Sequence, residues 1–363
     1  MKNIPKYVAP DFTLATFVNA PDVKTEKVTV KGVAPESFHA TSMYPEYFKI
    51  GGQWKLLTQT RMDCVPVIRQ DESLEAAEFR KLNVGDDVIV GRSDDGTEGI
   101  YLHNHGFPTG QGGADAFAFR GGRSRETSFQ RDYENLAALL RHDKEDGHIV
   151  WVLGPAAIFS KDCRDAMEYI VENGYAHAVF GGNAVVTHDI EGAMLGTALG
   201  QNIETGENVH NGHYNHLDAI NTVNKIGSVE KAISELGLSG GLICSCVKNS
   251  VPFVMAGSLR DDGPMSGVID DMSEAQDAMR AHTKKATTVV CMASQLHTIA
   301  TGNLTASYVV RGGEIRPVFI YAIDVSEFVL NKLRDRGTLE VTTIVSNIQD
   351  FLFKLTNILK QGK

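Results

Sequence analysis

An α/β fold is predicted, with a parallel sheet in the second half of the chain and a smaller β-rich, barrel-like part before it. Two observations carry that expectation. The second half holds a train of continuous apolar runs, each stopped by a small or polar turn ahead of helix signals. The first half instead shows short alternating segments with Gly and Asp turns at close spacing. Strands buried on both faces require the first pattern, and small strands with one wet face produce the second.

Residues up to about Pro35 read as a leader strand and loop. From Phe38 to about Gly113, segments such as Lys49-Ile50-Gly51-Gly52-Gln53-Trp54-Lys55 and Asp86-Asp87-Val88-Ile89-Val90-Gly91 mark strands and turns. The stretch from His103-Asn104-His105-Gly106 to Gly113 reads as a loop or linker. The expected division is therefore a β-rich region over 1–120 and a sheet-bearing region over 121–363.

Ser124 to Arg141 looks helical, with Leu136, Leu139 and Leu140 on one side. The buried strands follow as His148–Leu153, Ala176–Phe180, Val251–Ala256, Thr287–Ala293 and Val318–Ile323. Ser326-Glu327 starts a helix expected to end at Gly337, its negative end favoured by Lys332, Arg334 and Arg336. Ser346-Asn347-Ile348-Gln349 has capping-box form and opens an amphipathic helix bearing Ile348, Phe351, Leu352, Leu355, Ile358 and Leu359.

The 363 residues are 42% hydrophobic and 22% charged, ordinary for a globular protein with an ample core. A formal charge of -10 argues against a nucleic-acid or anionic-membrane surface, which leaves a small-molecule partner as the expectation. No segment approaches the roughly 20 uninterrupted apolar residues of a membrane span. The five cysteines are odd in number and scattered, so a reducing cytoplasm and small buried thiols are expected.

In a parallel sheet, ligands sit beyond the carboxyl ends of the strands. No GxGxxG follows any of these strands, but Gly154-Pro155-Ala156 and Gly181-Gly182-Asn183-Ala184 could let backbone approach a pyrophosphate at a helix start. Tight strand-to-helix packing is the equal alternative for each turn. Asp324 closes a strand, where a carboxylate can accept both ribose hydroxyls of an adenosine and repel a 2′-phosphate. A helix N-cap is the other use for it, although Ser326 could supply that cap.

Arg260-Asp261-Asp262-Gly263 packs three charges against the end of a buried strand, and Arg260 could clamp a substrate carboxylate bidentately. An internal Arg–Asp pair closing the loop is the alternative. His210, His213 and His216 have metal-like spacing, yet no carboxylate or thiolate completes a set, so no metal is expected; the cluster could instead line a site or play a solvated or capping role. His188-Asp189-Ile190-Glu191 is better placed for a site, just after the Gly181 turn on the first turn of a helix, although its acids could simply be favourable charges there.

At these residues a resemblance becomes specific. Gly182-Asn183-Ala184, His188-Asp189-Ile190-Glu191 and Gly196-Thr197-Ala198-Leu199-Gly200 belong to the pattern. So do His216-Leu217-x-Ala219-Ile220-Asn221, Cys246-Val247-Lys248-Asn249 and Val251-Pro252-Phe253-Val254 through Asp262-Gly263-Pro264. Leu296-His297-x-Ile299-Ala300-x-Gly302-Asn303 and Asp335-Arg336-Gly337 complete it. From about Val33 to its last residue the chain resembles the archaeal-type, NAD-dependent ornithine cyclodeaminases, also described as LOR/SDH conserved-domain proteins. The resemblance does not extend to the amidinotransferase-like dihydrolase domain of the family's fused members.

The resemblance implies that the second region is Rossmann-like and binds NAD. Carried over by motif, the cofactor contacts would be Asn183, Ala184, Asp262, the turn Ser294-Gln295-Leu296-His297, Asp324, and Asn347-Ile348. The chain departs from the family pattern at Phe159, where a His is usual, and at Asn347, where Asp is usual. Further departures are Ser294-Gln295 in place of Thr-Met and Tyr214-Asn215 within a His-rich stretch.

The expected activity is cyclodeamination of ornithine or a related diamino acid to proline or a cyclic imino acid, with hydride recycling on NAD. Arg260 is expected as carboxylate anchor, and Asp261 or Lys248 as proton-transfer groups. The rivals are an NAD-dependent amino- or imino-acid dehydrogenase and an NAD-binding regulator without catalysis. An amino-acid substrate and a homo-oligomer are the expected partners.

Overall fold

The computed structural model describes residues 4–107, 129–327, 330 and 340–362. The leader forms a short helix α1 (Ala15–Val18) and strand β1 (Lys24–Lys27). Then come β2 (Glu46–Ile50), β3 (Gln53–Leu56), β4 (Val65–Ile68), β5 (Leu74–Ala77), β6 (Asp87–Val90) and β7 (Ile100–Leu102). They make two small antiparallel sheets, ordered β1-β6-β4-β5 and β3-β2-β7. The β-rich expectation for this region is met.

Helix α2 (Gln130–Asp146) leads into β8 (Ile149–Leu153), α3 (Lys161–Glu172), β9 (Ala178–Gly182) and α4 (Asn183–Leu195). A small hairpin of β10 (Thr197–Ala198) and β11 (Gln201–Asn202) precedes α5 (Asn215–Ile226), α6 (Val229–Leu236) and α7 (Leu242–Lys248). The chain continues through β12 (Phe253–Ala256), α8 (Met272–Thr283), β13 (Thr288–Met292) and α9 (Gln295–Leu304). A second hairpin, β14 (Tyr308–Arg311) with β15 (Glu314–Pro317), comes before β16 (Phe319–Asp324), β17 (Glu340–Val345) and α10 (Ile348–Lys360).

Six of these strands form one parallel sheet ordered β12-β9-β8-β13-β16-β17. Counted along the chain this is the order 3-2-1-4-5-6 of a Rossmann-like, doubly wound sheet. The continuous apolar runs are explained by the two faces. Ile149, Trp151, Leu153, Val290, Met292, Phe319, Tyr321 and Ile323 point into one core with α2, α3, α4 and α10. Their neighbours Val150, Val152, Val289, Cys291 and Ile320 point into a second core with α8 and α9. Trp151 is wholly buried and its Nε1–H donates to the carbonyl of Tyr175 at 2.8 Å.

Several expectations shift. β17 is absent from the strands legible in the sequence: it is an edge strand, its Thr342-Thr343 interrupts the apolar run, and only pairing with β16 makes it a strand. The last helix is capped by Asn347, whose Oδ1 accepts from the Gln349 N–H at 2.8 Å, so Ser346 is one residue too early for a capping box. The expected helix from Ser326 to Gly337, with its basic residues, lies outside the described residues beyond Glu327 and Leu330. The expected boundary at 120 also lies outside them. The five cysteines are all buried free thiols, as expected.

Two sets of contacts lock the regions together. Arg280 on α8 donates to the carbonyls of Gln59 and Thr60, each at 3.0 Å, and Ser307 Oγ donates to Met43 O at 2.9 Å. Tyr308 and Ala306 pack on Phe107, with Tyr7 and Leu56 beside them, so the β14–β15 hairpin joins the β-rich region rather than the parallel sheet. At the amino ends of the parallel strands, the wholly buried Asp143 accepts from Thr287 Oγ1 at 2.6 Å and Thr288 Oγ1 at 2.7 Å. Arg316 donates to the same carboxylate at 3.0 and 3.3 Å. Gly147 is required here, because any side chain would strike that of Asp143.

Burial alone would raise the Asp143 carboxyl, but Arg316, Thr287 and His142 outweigh it and hold it below the usual carboxylate range. Its contribution is therefore present above the unfolded-state pKa and disappears as pH falls through the lowered folded value. Asp143→Ala is expected to cost about 3–5 kcal/mol, because it strands the Arg316 charge in the interior. Urea unfolding at pH 7 measures this, and a loss under about 1 kcal/mol would show that the network is not a keystone.

Candidate functional site

A crevice of about 750 Å³ opens beyond the carboxyl ends of β8, β9, β12 and β13. β8 and β13 are neighbours from which the chain departs in opposite directions, and such a switch point is where doubly wound sheets place ligands. The two strand ends are pressed together there. A side chain at Gly154 would collide with the Ala293 carbonyl, and one at Gly182 would meet the His297 ring. Both glycines therefore permit close packing of the strand ends.

Two helices begin at the crevice without a capping side chain. Neither Gly182 before α4 nor Ser294 before α9 satisfies the first N–H groups of its helix. Those groups and the positive ends of both helices give the crevice walls the character of an anion cradle. Asn183, Ala184, Ser294, Gln295, Leu296 and His297 all line it. The Asn183 side chain is also a tie between elements, since its Oδ1 accepts from the Met265 N–H at 3.0 Å and fastens the β12 loop to α4.

Arg260 and Asp261 also line the crevice. Among the described residues the Arg260 guanidinium makes no ion pair, so the internal Arg–Asp closure does not form. Asp261 instead accepts from the Ser258 N–H at 2.7 Å and braces the turn. His297 accepts from Ser294 Oγ at 3.0 Å and directs its other nitrogen to the Ala256 carbonyl at 3.4 Å. Burial lowers its pKa, against the opposing pull of that carbonyl and of Asp261.

Other expected residues lie elsewhere. Lys248 sits exposed at the end of α7, paired with Glu172 at 3.1 Å, and is not on the crevice wall. The cause is that α7 packs against α3, which turns its last residue to the outer surface. Asp262 is exposed on the turn after β12 and does not line the cavity. Ile348 is buried in the core against α3 and α2, and the Asn347 oxygen is engaged in capping. Asp324 ends β16 half-buried, and its Oδ1 accepts from the Ser326 N–H at 2.8 Å, so the turn-closing bond falls to Asp324 and not to the Ser326 side chain.

The largest addition is the setting of His188, which the sequence marks as well placed but without a role. It lies one full turn inside α4, faces the crevice, and pairs with the wholly buried Glu191 at 2.8 Å. Asp189, between them, points the opposite way to Arg164 at 2.6 Å and accepts the Leu242 and Ile243 N–H groups that start α7. These acids are thus interior partners, not charges at a helix end. Phe159 lines the crevice with its ring 5.9 Å from that of His188, and His216 lies 6.0 Å away on another side. The usable signal was a His and a Glu three residues apart, which share one helix face.

Residues 134–355 match the family described as arginine dihydrolase ArgZ-like, C-terminal, Rossmann fold. The ornithine cyclodeaminase of Methanopyrus kandleri is 36% identical over 95% of this chain and 80% of its own length. The bifunctional arginine dihydrolase/ornithine cyclodeaminase ArgZ of Synechocystis sp. is 33% identical over 94% of this chain but only 47% of its own. Among solved structures, a putative LOR/SDH protein from Methanococcus maripaludis aligns with a TM-score of 0.85 at 31% identity, covering 94% of this chain and 99% of that one. A ternary complex of AgrE with ornithine and NAD+ aligns at 0.59 and 31% identity, over 95% of this chain and 47% of that one. By sequence over nearly its whole length, and by fold, this chain belongs to the ArgZ-like, LOR/SDH family that includes the ornithine cyclodeaminases.

Proposed function

We propose that this protein is an NAD-dependent cyclodeaminase that converts ornithine, or a closely related diamino acid, to a cyclic amino acid and ammonia. The observation that carries this reading is the switch-point crevice, where two uncapped helix starts face Arg260, Asp261 and His188 across one cavity. AgrE, a relative of which this chain covers 47%, has been solved in complex with ornithine and NAD+. The residues present fit the dinucleotide: the starts of α4 and α9 suit its pyrophosphate, and Asp324 at the end of β16 suits a ribose.

When bound, NAD supplies a hydride acceptor that takes the hydride from Cα and later returns it to the ring. The chain's own residues do the rest. Arg260 holds the substrate carboxylate through a two-pronged, charge-assisted contact. Asp261 puts a negative charge on the same wall and attracts the ammonium groups. Phe159, Leu153, Val185 and Ile299 keep the crevice apolar around the reacting carbon and exclude water that would hydrolyse an imine. Lys248 has no part in the chemistry because it lies on the outer surface.

Arg260→Gln is expected to raise the KM for ornithine about 10- to 100-fold, the value of a charge-assisted bond, with little effect on stabilisation by NAD. Steady-state kinetics and thermal melting check both parts. An unchanged KM would remove Arg260 as the anchor.

NAD should raise the melting temperature and NADP should raise it far less, because Asp324 repels a 2′-phosphate. Asp324→Ser should narrow the gap. Equal shifts with the two cofactors in the unsubstituted protein would end the ribose role of Asp324.

The reaction itself is tested with ornithine deuterated at Cα and substoichiometric NAD. Proline and ammonia should form, with the deuterium retained at Cα of proline and no steady rise in nicotinamide absorbance. Label loss or accumulating NADH would favour an amino-acid dehydrogenase. NAD binding without turnover of any diamino acid would favour a regulator, a reading for which Phe159 at the crevice wall is the motive.

A further inference from the structure

The wall beside α4 contains a chain of hydrogen bonds that ends at the cavity. Asn215 Nδ2 donates to Thr197 Oγ1 at 2.8 Å, and Thr197 Oγ1 donates to Glu191 Oε1 at 2.7 Å. The other carboxylate oxygen, Oε2, lies 2.8 Å from His188 Nδ1. Glu191 also receives the N–H of Gly200 at 3.1 Å and of Leu199 at 3.2 Å. Burial would favour the neutral acid, but these donors outweigh it and hold Glu191 below the usual carboxylate range. An ionised carboxylate only accepts, so its 2.8 Å contact calls for the hydrogen of the neutral ring on Nδ1, which the Leu199 N–H also approaches at 3.4 Å, and leaves the lone pair on Nε2.

Two other polar groups of the crevice already have partners. Both ring nitrogens of His297 have partners in Ser294 and Ala256, and Asp261 holds the Ser258 N–H. The rings of Phe159 and His216 lie beside that of His188, at 5.9 and 6.0 Å between centroids. A backbone turn at Leu199–Gly200 needs an acceptor, but it does not need a histidine on that acceptor's second oxygen.

We infer that His188 is the catalytic residue that moves protons between the substrate nitrogens, and that Glu191 is the positioning residue that sets its tautomer. This rests on the cyclodeaminase reading. The substrate binds with its α-amino group as the free amine, its proton left to solvent, so that hydride loss from Cα gives an α-iminium. His188 Nε2 then takes a proton from the terminal ammonium, whose freed pair bonds to Cα while the C=N pair moves onto the α-nitrogen. His188 gives that proton to the α-nitrogen, then takes one from the new ring nitrogen. The Cα–Nα bond breaks, ammonia leaves with its electron pair, and the ring C=N forms. After hydride returns to Cα, His188 protonates the ring nitrogen and ends as it began.

The test uses the full chain with NAD and ornithine. His188→Gln should lower kcat about 100-fold or more while thermal stabilisation by NAD persists. Imidazole added to His188→Ala should restore part of the rate, which a purely structural role would not allow. Glu191→Gln should lower kcat about tenfold with KM nearly unchanged, because the ring loses the acceptor that orients it. Should that variant not fold, 15N spectra of the unsubstituted protein still report the dyad, with the neutral His188 ring expected to be protonated on Nδ1. A ring protonated on Nε2, or undiminished turnover by His188→Gln, overturns the inference alone. Failure of the unsubstituted protein to turn over any diamino acid overturns the cyclodeaminase reading and the role of His188 with it.

Discussion

A parallel sheet buried on both faces cannot be joined by tight turns, and the rest of the molecule follows from that constraint. Each connection must cross over the sheet, and the twist of the strands makes that crossing right-handed. Moving outward from β8 through β9 to β12 puts α3, α4 and α7 on one face. Returning across β8 to β13 and then β16 puts α8 and α9 on the other. The crevice is what remains where the direction reverses. Its floor is narrow because Gly154 lets β8's turn touch the Ala293 carbonyl.

The opposite end of the sheet is closed by charge. Asp143 gathers two threonine hydroxyls from β13 and its lead-in with Arg316 from the β14–β15 hairpin. The same hairpin carries Tyr308 into the β-rich region, so the network that holds the sheet's foot also anchors the first part of the chain. Arg280, from the other face, reaches that region as well. The mouth of the crevice is thereby built on rigid elements, which precise positioning of reacting groups demands.

Within the crevice, polar groups are few and held by the backbone. His297 bridges the ends of β12 and α9, Asp261 closes its own turn, and Glu191 satisfies the turn after α4. Each of these bonds ties one polar atom to the backbone, while Arg260 and His188 line the same crevice. Phe159 adds apolar surface against His188, which strengthens any charge interaction made there by excluding water.

By itself the sequence determined the class of fold, because buried strands leave an unbroken apolar record: five of the six parallel strands are legible in runs such as Ile149–Leu153 and Thr288–Met292. It also marked Arg260, Asp261, Asn183 and the Ser294–His297 turn, since strand ends and helix starts are readable from turn residues. Only the tertiary structure decided the rest. β17 exists through its partner, and Lys248 points outward because α7 packs on α3. Asp189 and Glu191, two residues apart, face opposite sides of α4, one to Arg164 and the other to His188. A linear pattern records which residues are apolar and where turns fall. It does not record which helix face meets the cavity, because packing of elements distant in the chain sets that rotation.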